Sequence, residues 1–520
     1  MTDVLWPPDI VPANQEWRII GNVGAFQSPL NGATRTVGRP GARWGCRVTL
    51  PPLNGTNRAR MMAVLGALRD RSARIWMPDF SVTRRGSISA PELLTNSAFS
   101  GTSGWQTSTN WALSANDGVM RVTRLTGGVE IDLVSSTPPT VTQYAPYAGR
   151  LMFDAGQSIS SMIGGLYMVS SAVNASDASS PATAGMKSAA IVADSTTAAL
   201  YFYDSSSSTA IAGSYADVSF MSMAQCALVD NGLNALTYSD QIDNAAWTKS
   251  ACSTTANNHT APDGTTTAEK LTEDTSTGTH YFSRSASRTS AAADLCTYGF
   301  FSSSALDRDV RLVAGNDTSN YSAATFDISA GTVGAVSNAG TATNGRAFIV
   351  SKGGGWYFCC VISRAVAATT MLAEYDMVSG GTTSYTGTTG ALAVWRCGSA
   401  VSSVPTRGAQ TTSAATTGTA QTGTSIYVKG LPASTNGLLK AGDPFSIGGQ
   451  RNVATANLDS DAAGLGVLQC AIPVRSPADN SPIFINTPMS KMMLATDEIG
   501  WDTMPGQFSP FSIDLIEDIT

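Results

Sequence analysis

A pattern that occurs twice in the middle of the chain constrains the fold more than any other feature. LLTNSAFSGTSGWQTS at 93–108 aligns with ALTYSDQIDNAAWTKS at 235–250. In both copies a Thr precedes a Trp by ten residues, and the tryptophans are Trp105 and Trp247. Self-similarity of this kind indicates duplicated structural units, and matching positions for a bulky residue favour a shared core anchor.

The ends of the two copies also resemble each other. VSFMSMAQCALV at 218–229 is similar to GALAVWRCGSAV at 390–401. Together, the matching starts and ends predict two sister domains, 91–232 and 233–403. Both are rich in Ser, Thr, Ala and Gly and contain many short alternating runs between turn residues. This text is typical of jelly-roll-like β-sandwiches.

Before the repeat, residues 1–90 contain strand-like text and one clear helix. WRIIGNVGAF (17–26) and RWGCRVTL (43–50) are strand-like, and NGTNRARMMAVLGALRDR (54–71) has a helical apolar stripe. The stripe recurs at i, i+3, i+4 and i+7 and consists of Met61, Val64, Leu65 and Leu68. RIWMPDF (74–80) returns as a strand.

After the repeat, the chain passes through polar, low-complexity text and returns to compact β text. Residues 404–424 favour a linker, although one polar edge strand is the alternative. Residues 425–520 contain several strand-length pieces, and PFSIDLIED (510–518) alternates like a half-buried final strand. The predicted fold class is therefore all-β with one short helix.

Composition excludes several functional classes. The 520-residue chain has a net charge of −6 and no extended basic cluster, so nucleic-acid binding is not expected. No apolar run is long enough to span a bilayer, so membrane insertion is not expected either. The eight cysteines are dispersed without a CxxC pair, and no calcium-loop spacing is present. We therefore predict no metal site and no cofactor.

No catalytic constellation is visible, and we predict that the protein is not an enzyme, with no catalytic residues. GTSGW (101–105) lacks the second Gly of a nucleophile elbow. The two histidines are His259 and His280, and the text around both is typical of solvent-facing residues. Paired carboxylates for glycoside hydrolysis are spatial and are not read from one sequence, so a glycan-degrading enzyme is kept as an alternative.

Aromatic residues in the sister domains suggest a different chemistry. Sugars stack their C–H faces on Trp or Tyr rings, while Asn, Asp and Arg bind the hydroxyls. Trp111, Tyr321 and Tyr385 lie in polar, loop-like text and are the predicted glycan contacts. The alternative is that such rings belong to the core.

Taken together, three stretches resemble a known family. They are WRIIGNVGAFQSPLNGATRTV followed by GRPGARWGCRVTLPPL (17–53), MMAVLGALRDRSARIWMPDF (61–80), and the closing text at 442–485 and 490–517. The combination resembles distal tail or minor tail proteins of long-tailed (siphovirus-type) bacteriophages. The resemblance covers about 85 residues at the start and about 95 at the end.

The resemblance implies a β-barrel or sandwich domain split into 1–90 and 425–520. In that family the split domain forms a ring, commonly a hexamer, at the distal end of the tail tube. Its expected partners are other copies of itself, the tail tube protein and the baseplate hub protein. The location implied is the virion tail tip, after assembly in the host bacterial cytoplasm. The inserted domains resemble carbohydrate-binding-type sandwiches, which implies host surface polysaccharide as a further partner.

An arginine series runs through the opening stretch. Arg35, Arg39, Arg43 and Arg47 recur at every fourth position. They are candidates for the ring interface, and the equal alternative is that they are solvated outward residues of two strands.

Other functions remain open at this stage. They are a trimeric tail-fibre-type receptor-binding protein, the glycan-degrading enzyme already mentioned, and sandwiches that act only as spacers. The split domain itself makes one structural prediction: residues 40–50 contact the last hundred residues of the chain.

Overall fold

The protein is almost entirely β-structure. The computed structural model describes residues 3–7, 10–27, 34–38, 41–53, 55–68, 72–81, 92–116, 118–125, 131–154, 164–179, 184–204, 213–232, 234–290, 292–302, 308–366, 368–406, 421–497, 503–504, 507–508 and 512–519. Within these ranges there is one α-helix, and the remaining regular structure consists of strands. The predicted all-β class with one short helix is confirmed.

The elements fall into four groups along the chain. The first group is β1 (Asp3–Leu5), β2 (Asn14–Ile20), β3 (Val23–Gln27), β4 (Thr34–Gly38), β5 (Arg43–Thr49), α1 (Gly55–Leu68) and β6 (Arg74–Pro78). The second is β7 (Trp105–Gln106), β8 (Trp111–Asn116), β9 (Val119–Arg124), β10 (Ile131–Ser135), β11 (Pro146–Asp154), β12 (Gly164–Ser170), β13 (Val173–Ser179), β14 (Gly185–Val192), β15 (Ala199–Asp204), β16 (Tyr215–Gln225) and β17 (Ala227–Val229). The third is β18 (Thr248–Ser250), β19 (Cys252–His259), β20 (Ala268–Glu273), β21 (Thr277–Thr279), β22 (Tyr281–Ser287), β23 (Ala293–Ser302), β24 (Asp309–Gly315), β25 (Tyr321–Asp327), β26 (Thr332–Val333), β27 (Ser337–Ala339), β28 (Thr343–Gly353), β29 (Trp356–Ala365), β30 (Thr370–Val378), β31 (Ser384–Thr386) and β32 (Ala391–Val401). The fourth is β33 (Gly423–Lys429), β34 (Pro444–Ile447), β35 (Gln450–Val453), β36 (Gly466–Val474), β37 (Pro482–Phe484), β38 (Met489–Leu494), β39 (Thr503–Met504), β40 (Gln507–Phe508) and β41 (Ser512–Glu517).

The two ends of the chain form one six-stranded sheet in the order β1-β6-β38-β41-β5-β2. Strand β5 lies between β2 and β41, and Val48 is paired with both Gln15 and Ile513. The predicted contact between residues 40–50 and the last hundred residues is therefore confirmed. Helix α1 covers one face of this sheet with the stripe predicted from the sequence, since Met61, Val64, Leu65 and Leu68 are all buried.

A cluster around Arg451 on β35 joins two sheets: the six-stranded sheet formed by the chain ends, called the terminal sheet below, and the sheet that contains β35. Its guanidinium lies 4.4 Å from the ring centroids of both Trp17 and Trp44, and those two rings meet edge to face at 6.4 Å. The same group donates to Asp79 at 2.6 Å. Because a guanidinium stacks on aromatic faces and pairs with carboxylates, one side chain ties together three parts of the chain.

Each half of the repeat forms a β-sandwich with its own core. The first pairs the sheet β13-β12-β15-β10-β7 with the sheet β14-β11-β16-β9-β8. The second pairs the sheet β18-β22-β30-β24-β25-β26 with the sheet β19-β20-β32-β23-β29-β28. The strand orders of the two sandwiches correspond. β7-β10-β15-β12-β13 matches β18-β22-β30-β24-β25, and β8-β9-β16-β11-β14 matches β19-β20-β32-β23-β29. The sequence repeat therefore corresponds to a repeated topology.

The repeated tryptophans make the same contacts in both sandwiches. The indole Nε1 of Trp105 donates to the carbonyl of Asn96 at 3.0 Å, and that of Trp247 donates to the carbonyl of Tyr238 at 2.9 Å. Both acceptor residues have a φ of 58°. Since left-handed backbone is uncommon for residues with a side chain, its recurrence at matched positions marks the same tight turn before each anchor.

The C-terminal part of the chain is divided between two sheets. Strands β38 and β41 enter the terminal sheet, whereas β33 to β37 form a six-stranded sheet with β17, in the order β35-β34-β37-β17-β33-β36. Strand β17 belongs to the last residues of the predicted first insert, 91–232. Residues 423–484 therefore have a core of their own, to which Val229 contributes.

The predicted linker, 404–424, falls mostly outside the described residues. At its start, Val404 and Thr406 are buried, and Thr406 donates to Asp230 at 2.6 Å. At its end, the Gln421 side chain donates to the carbonyl of Asp230 at 2.7 Å. Both ends of the segment are thus anchored at one residue beside β17.

Candidate functional site

The outer face of one sheet in the second sandwich collects polar and aromatic side chains. On β30, Ala373, Tyr375 and Met377 point into the sandwich core. Because side chains alternate along a strand, Glu374 and Asp376 occupy the opposite face. Two carboxyl groups on the outside of a central strand are the starting point of the site.

The neighbouring strands add an aromatic residue on one side and a cation on the other. Asp376 is paired across the sheet with Tyr281 on β22 and with Arg311 on β24. The Arg311 Nη1 atom lies 2.6 Å from Asp376 Oδ2, and its guanidinium carbon lies 5.4 Å from the ring centroid of Tyr321 on β25. Four neighbouring strands, β22, β30, β24 and β25, bring together the group that we call the charged face: Tyr281, Arg311, Tyr321, Glu374 and Asp376.

Exposure differs between the centre and the margins of the charged face. Asp376 is 0% exposed, and Val313 on β24, which is paired with Glu374, is 1% exposed, whereas Tyr281 and Tyr321 on the flanking strands are half-buried. The face therefore has a recessed floor with an acidic group and rims that present aromatic rings.

The two carboxyl groups share one electrostatic environment. Burial, and next the charge of Asp376, raises the pKa of Glu374 from 4.5 to about 7. Burial also raises the pKa of Asp376, although Arg311 opposes that shift. Asp376 Oδ1 is buried and accepts no hydrogen bond from a protein donor. A protonated Glu374 is placed to donate to this oxygen, which is the direction in which its raised pKa acts.

This arrangement suits recognition of hydroxyl groups. The Arg311 guanidinium is 21% exposed and can donate to a hydroxyl group, while the flanking tyrosine rings provide surfaces for C–H stacking. The geometry therefore favours binding of a saccharide.

Of the three predicted glycan contacts, Tyr321 lies on the charged face. Tyr385 lies elsewhere and serves a structural network: its hydroxyl donates to Glu273 at 2.6 Å, and the Arg308 guanidinium reaches the same carboxylate at 2.6 Å. His280 packs on the Tyr385 ring at 4.8 Å and is 0% exposed, so the expectation that this histidine faces solvent is wrong.

Trp111, another predicted glycan contact, follows the alternative that was left open, a position in the core. The side chain is 5% exposed and belongs to the core of the first sandwich. Trp111 is the first residue of β8 and is paired with Arg124, whose guanidinium lies 5.4 Å from the indole ring. The polar text around it comes from the outward residues of an edge strand, which conceals one inward aromatic residue.

Sequence reasoning missed Arg311, Glu374 and Asp376. The signal was present in TMLAEYDMV (370–378), where acidic residues occupy alternate positions of an otherwise apolar strand. Such a pattern indicates a strand with one polar face. It does not reveal which strands lie beside it.

The predicted arginine series is only partly described. Arg39 and the side chain of Arg35 fall outside the described residues, and Arg43 is half-buried. Arg47 is exposed, and its guanidinium lies 3.5 Å from Asp514 within the same chain. Arg18 approaches that carboxylate too, at 3.4 Å.

Two further searches were limited to the described part of the chain. No group of three or more His, Cys, Asp or Glu side chains there is arranged to hold a metal ion. No helix within those ranges has the length and apolarity needed to cross a bilayer.

A cavity of about 740 Å³ lies where both sandwiches meet the β33–β37 sheet. Its walls are mainly apolar and include Phe348, Val404 and Leu431. The Arg346 guanidinium at its edge lies 4.0 Å from the Tyr144 ring centroid and donates to the carbonyl of Ser403 at 2.5 Å. The Arg346 guanidinium therefore already contacts protein groups of both domains. The cavity has fewer polar groups available to a ligand than the charged face has.

Comparison with known proteins adds little to these observations. No family model and no curated protein matches the chain. Among solved structures, the N-terminal CBM22-1–CBM22-2 tandem domain from Paenibacillus barcinonensis Xyn10C is 12% identical over 62% of this chain and 100% of that chain, with a TM-score of 0.21. The M60 catalytic domain with the CBM51-1 and CBM51-2 domains from Clostridium perfringens ZmpB is 7% identical over 72% of this chain and 42% of that chain, with a TM-score of 0.16. Scores this low carry no argument, so the sandwich assignment rests on the strand pairing of the chain itself.

Proposed function

We propose that the protein is a tail-tip structural subunit of a long-tailed phage whose second sandwich binds a surface glycan. The observation that carries the glycan role is the charged face, where Arg311 and Asp376 form a pair at 2.6 Å between two half-buried tyrosines. A hydroxyl group that reaches the Arg311 guanidinium, which is 21% exposed and is held in place by the buried Asp376, gains a charge-assisted hydrogen bond, and the rings add stacking.

The tail-tip role is supported by the construction of the chain. The two ends complete one sheet through β5 and β41, and the sequence of exactly these ends resembles the phage family. In this proposal the terminal sheet assembles into a ring that contacts the tail tube protein and the baseplate hub protein. Repetition around the ring then strengthens weak glycan contacts through avidity, provided that several copies engage together.

The glycan role is tested on the full-length chain with a glycan array, followed by calorimetric titration of the oligosaccharides that bind. We expect Tyr321→Ala to weaken binding about tenfold, which corresponds to about 1.4 kcal/mol. Tyr427→Ala is the matched control, because Tyr427 is an exposed tyrosine on β33, away from the charged face. Unchanged affinity in Tyr321→Ala, or absence of any glycan bound by the wild type, contradicts the proposal.

Incubation of the wild-type protein with a polysaccharide that it binds distinguishes binding from degradation. If the protein is a binding module, bound polymer keeps its length and no new reducing ends form. Release of reducing ends by the wild type and its loss in Glu374→Gln would identify a glycan-degrading enzyme instead.

Ring assembly is favoured by a specific set of exposed apolar residues. Among the described residues, Ile19, Val23 and Val37 are 51%, 59% and 65% exposed. Ile19 is on β2, which is an edge of the terminal sheet, and Val23 and Val37 are on the β3–β4 hairpin beside it. An edge strand with apolar neighbours is a template for pairing with a second copy, and a repeated heterologous contact closes into a ring.

Light scattering and negative-stain imaging test the assembly. We expect a six-fold ring for the wild type and monomers for the double variant Val23→Asp/Val37→Asp. Val401→Asp is the control, since Val401 is similarly exposed, at 47%, but lies on the second sandwich. A three-fold spike would favour the tail-fibre-type alternative, and a wild type that stays monomeric contradicts the ring.

A further inference from the structure

The first sandwich has a sheet that corresponds to the one bearing the charged face. Its order, β7-β10-β15-β12-β13, matches β18-β22-β30-β24-β25 strand for strand. Strand β15 therefore occupies the place of β30, and β12 occupies the place of β24. The outer face of this sheet is the topological counterpart of the charged face.

Two tyrosines stand at the centre of this counterpart face. Tyr167 on β12 is directly opposite Tyr201 on β15, and their ring centroids are 6.3 Å apart at an interplanar angle of 54°. Leu166 and Phe202, adjacent in sequence to the two tyrosines, are fully buried in the sandwich core. Alternation therefore places both tyrosine rings on the outside, where they are half-buried.

Among the side chains that the structure describes, those around the two tyrosines are small or uncharged. Val134 continues the row beyond Tyr201, and Ser176 continues it beyond Tyr167. Ala199 lies two residues from Tyr201 on the same face of β15. Where the outer side chains of this sheet are described, none carries a charge, in contrast to Arg311 and Asp376 on the second sandwich. The two faces share a topology but differ in chemistry.

We propose that Tyr167 and Tyr201 form a second saccharide-binding site, an uncharged stacking platform that takes a neutral glycan. This inference rests on the proposed glycan role of the protein. Two adjacent aromatic rings over small neighbours offer a surface for the C–H face of a pyranose, and none of the described side chains beside them carries a charge that would select for an ionic substituent. The duplicated domains thus divide recognition between a neutral platform and a charged face.

The different chemistry predicts different responses to pH. Binding at the tyrosine platform depends on stacking, so it stays constant between pH 5.5 and 8. Binding at the charged face involves Glu374, Asp376 and Arg311, so its affinity changes over that range. The two sites can therefore be separated in one protein without isolating either sandwich.

The test is calorimetric titration of the full-length chain with cellohexaose, xylohexaose and chitohexaose, each at pH 5.5 and pH 8. The double variant Tyr167→Ala/Tyr201→Ala is expected to lose at least tenfold in the affinity of the pH-independent site and to keep the pH-dependent one. Tyr321→Ala is expected to show the reverse. Tyr167→Phe/Tyr201→Phe is the control for stacking, and it should bind as the wild type does.

The outcomes distinguish the second site from the proposed function itself. If the Ala double variant binds all three probes as the wild type does, the second site is wrong and the charged face remains. If the Phe variant loses affinity as fully as the Ala variant, stacking is not the basis of binding and the platform is wrong. If the wild type binds none of the probes and no glycan on the array, both proposals fail.

Discussion

Arg74 and Asp518 join the first and last parts of the chain through a buried ion pair. The Arg74 Nε atom lies 2.6 Å from Asp518 Oδ2, and the two side chains are 7% and 4% exposed. Arg74 is the first residue of β6 and Asp518 directly follows β41, and these strands reach the same sheet from opposite ends of the chain. The ion pair therefore links β6 to the end of β41 and stabilises the terminal sheet, whose two halves are separated in sequence by the sandwiches.

Arg74→Ala is expected to destabilise the terminal sheet strongly. Removing one partner of a buried ion pair typically costs about 3–5 kcal/mol. Denaturant unfolding followed by limited proteolysis should show that residues 1–80 and 489–519 open at a lower denaturant concentration than in the wild type.

Arg18→Ala is the matched control for the variant at Arg74. Arg18 also pairs with an acidic residue of the last strand, Asp514, but the two side chains are 45% and 33% exposed. An exposed pair contributes about 0–1 kcal/mol, so the unfolding midpoint should hardly change. Equal effects of the two variants would show that the buried pair does not hold the sheet closed.

Trp111→Ala is expected to reduce the stability of the first sandwich rather than to affect glycan binding alone. The indole fills the core, and replacing a buried large aromatic residue by alanine typically costs about 3–5 kcal/mol. Thermal unfolding should show a lower transition for this sandwich, while Tyr321→Ala, on a half-buried tyrosine, should change it little. Normal stability with lost glycan binding would restore Trp111 as a contact.

Tyr385→Phe tests whether the third predicted glycan contact is structural. The variant removes one hydrogen bond to Glu273, and loss of a hydrogen bond to a charged group costs about 1.5–3 kcal/mol. Burial disfavours the ionised form of Glu273, yet hydrogen bonds from Arg308, Thr388 and Tyr385 hold its pKa at about 2. The folded pKa lies below the ordinary value of 4.5, so this stabilisation is present above pH 4.5 and is lost as the pH falls towards 2. Acid unfolding should begin at a higher pH in Tyr385→Phe than in the wild type.

Local pattern was enough to predict the helix, the fold class and the repeat. The helical stripe around Leu65 and the duplicated Trp105 and Trp247 are governed by periodicity and by bulk, both of which are visible in one sequence. Strand β17 was missed as part of the C-terminal sheet because a three-residue strand has almost no pattern of its own. Its partners, β33 and β37, lie far along the chain.

The candidate site was only partly predictable for a related reason. Tyr321 was identified by its residue type, but its neighbour Arg311 acquires a role only through the pairing of β24 with β30. A shift of one residue in that register would move Asp376 into the core face. The burial of Trp111 was not predicted for a similar reason. Trp111 is the first residue of β8, and the sequence alone does not show which face of the sheet such a residue occupies.

The carboxyl pair of the charged face gives the second sandwich a distinctive pH dependence. Burial and Asp376 raise the pKa of Glu374 from 4.5 to about 7, and burial and Asp243 raise that of Glu269 to about 8. Between pH 4.5 and 7 the folded state retains protons that the unfolded chain releases, so stability falls as the pH rises through these values.

Glu374→Gln keeps a donor for Asp376 and has no proton to lose, so its stability should fall less between pH 5 and 7 than that of the wild type. Glu269→Gln is the companion variant, whose loss of pH dependence should extend to about pH 8. The measurement is the free energy of unfolding of each protein between pH 5 and 8. If this free energy changes with pH in the same way in the wild type and in Glu374→Gln, Glu374 is ionised in the folded protein and the prediction is wrong.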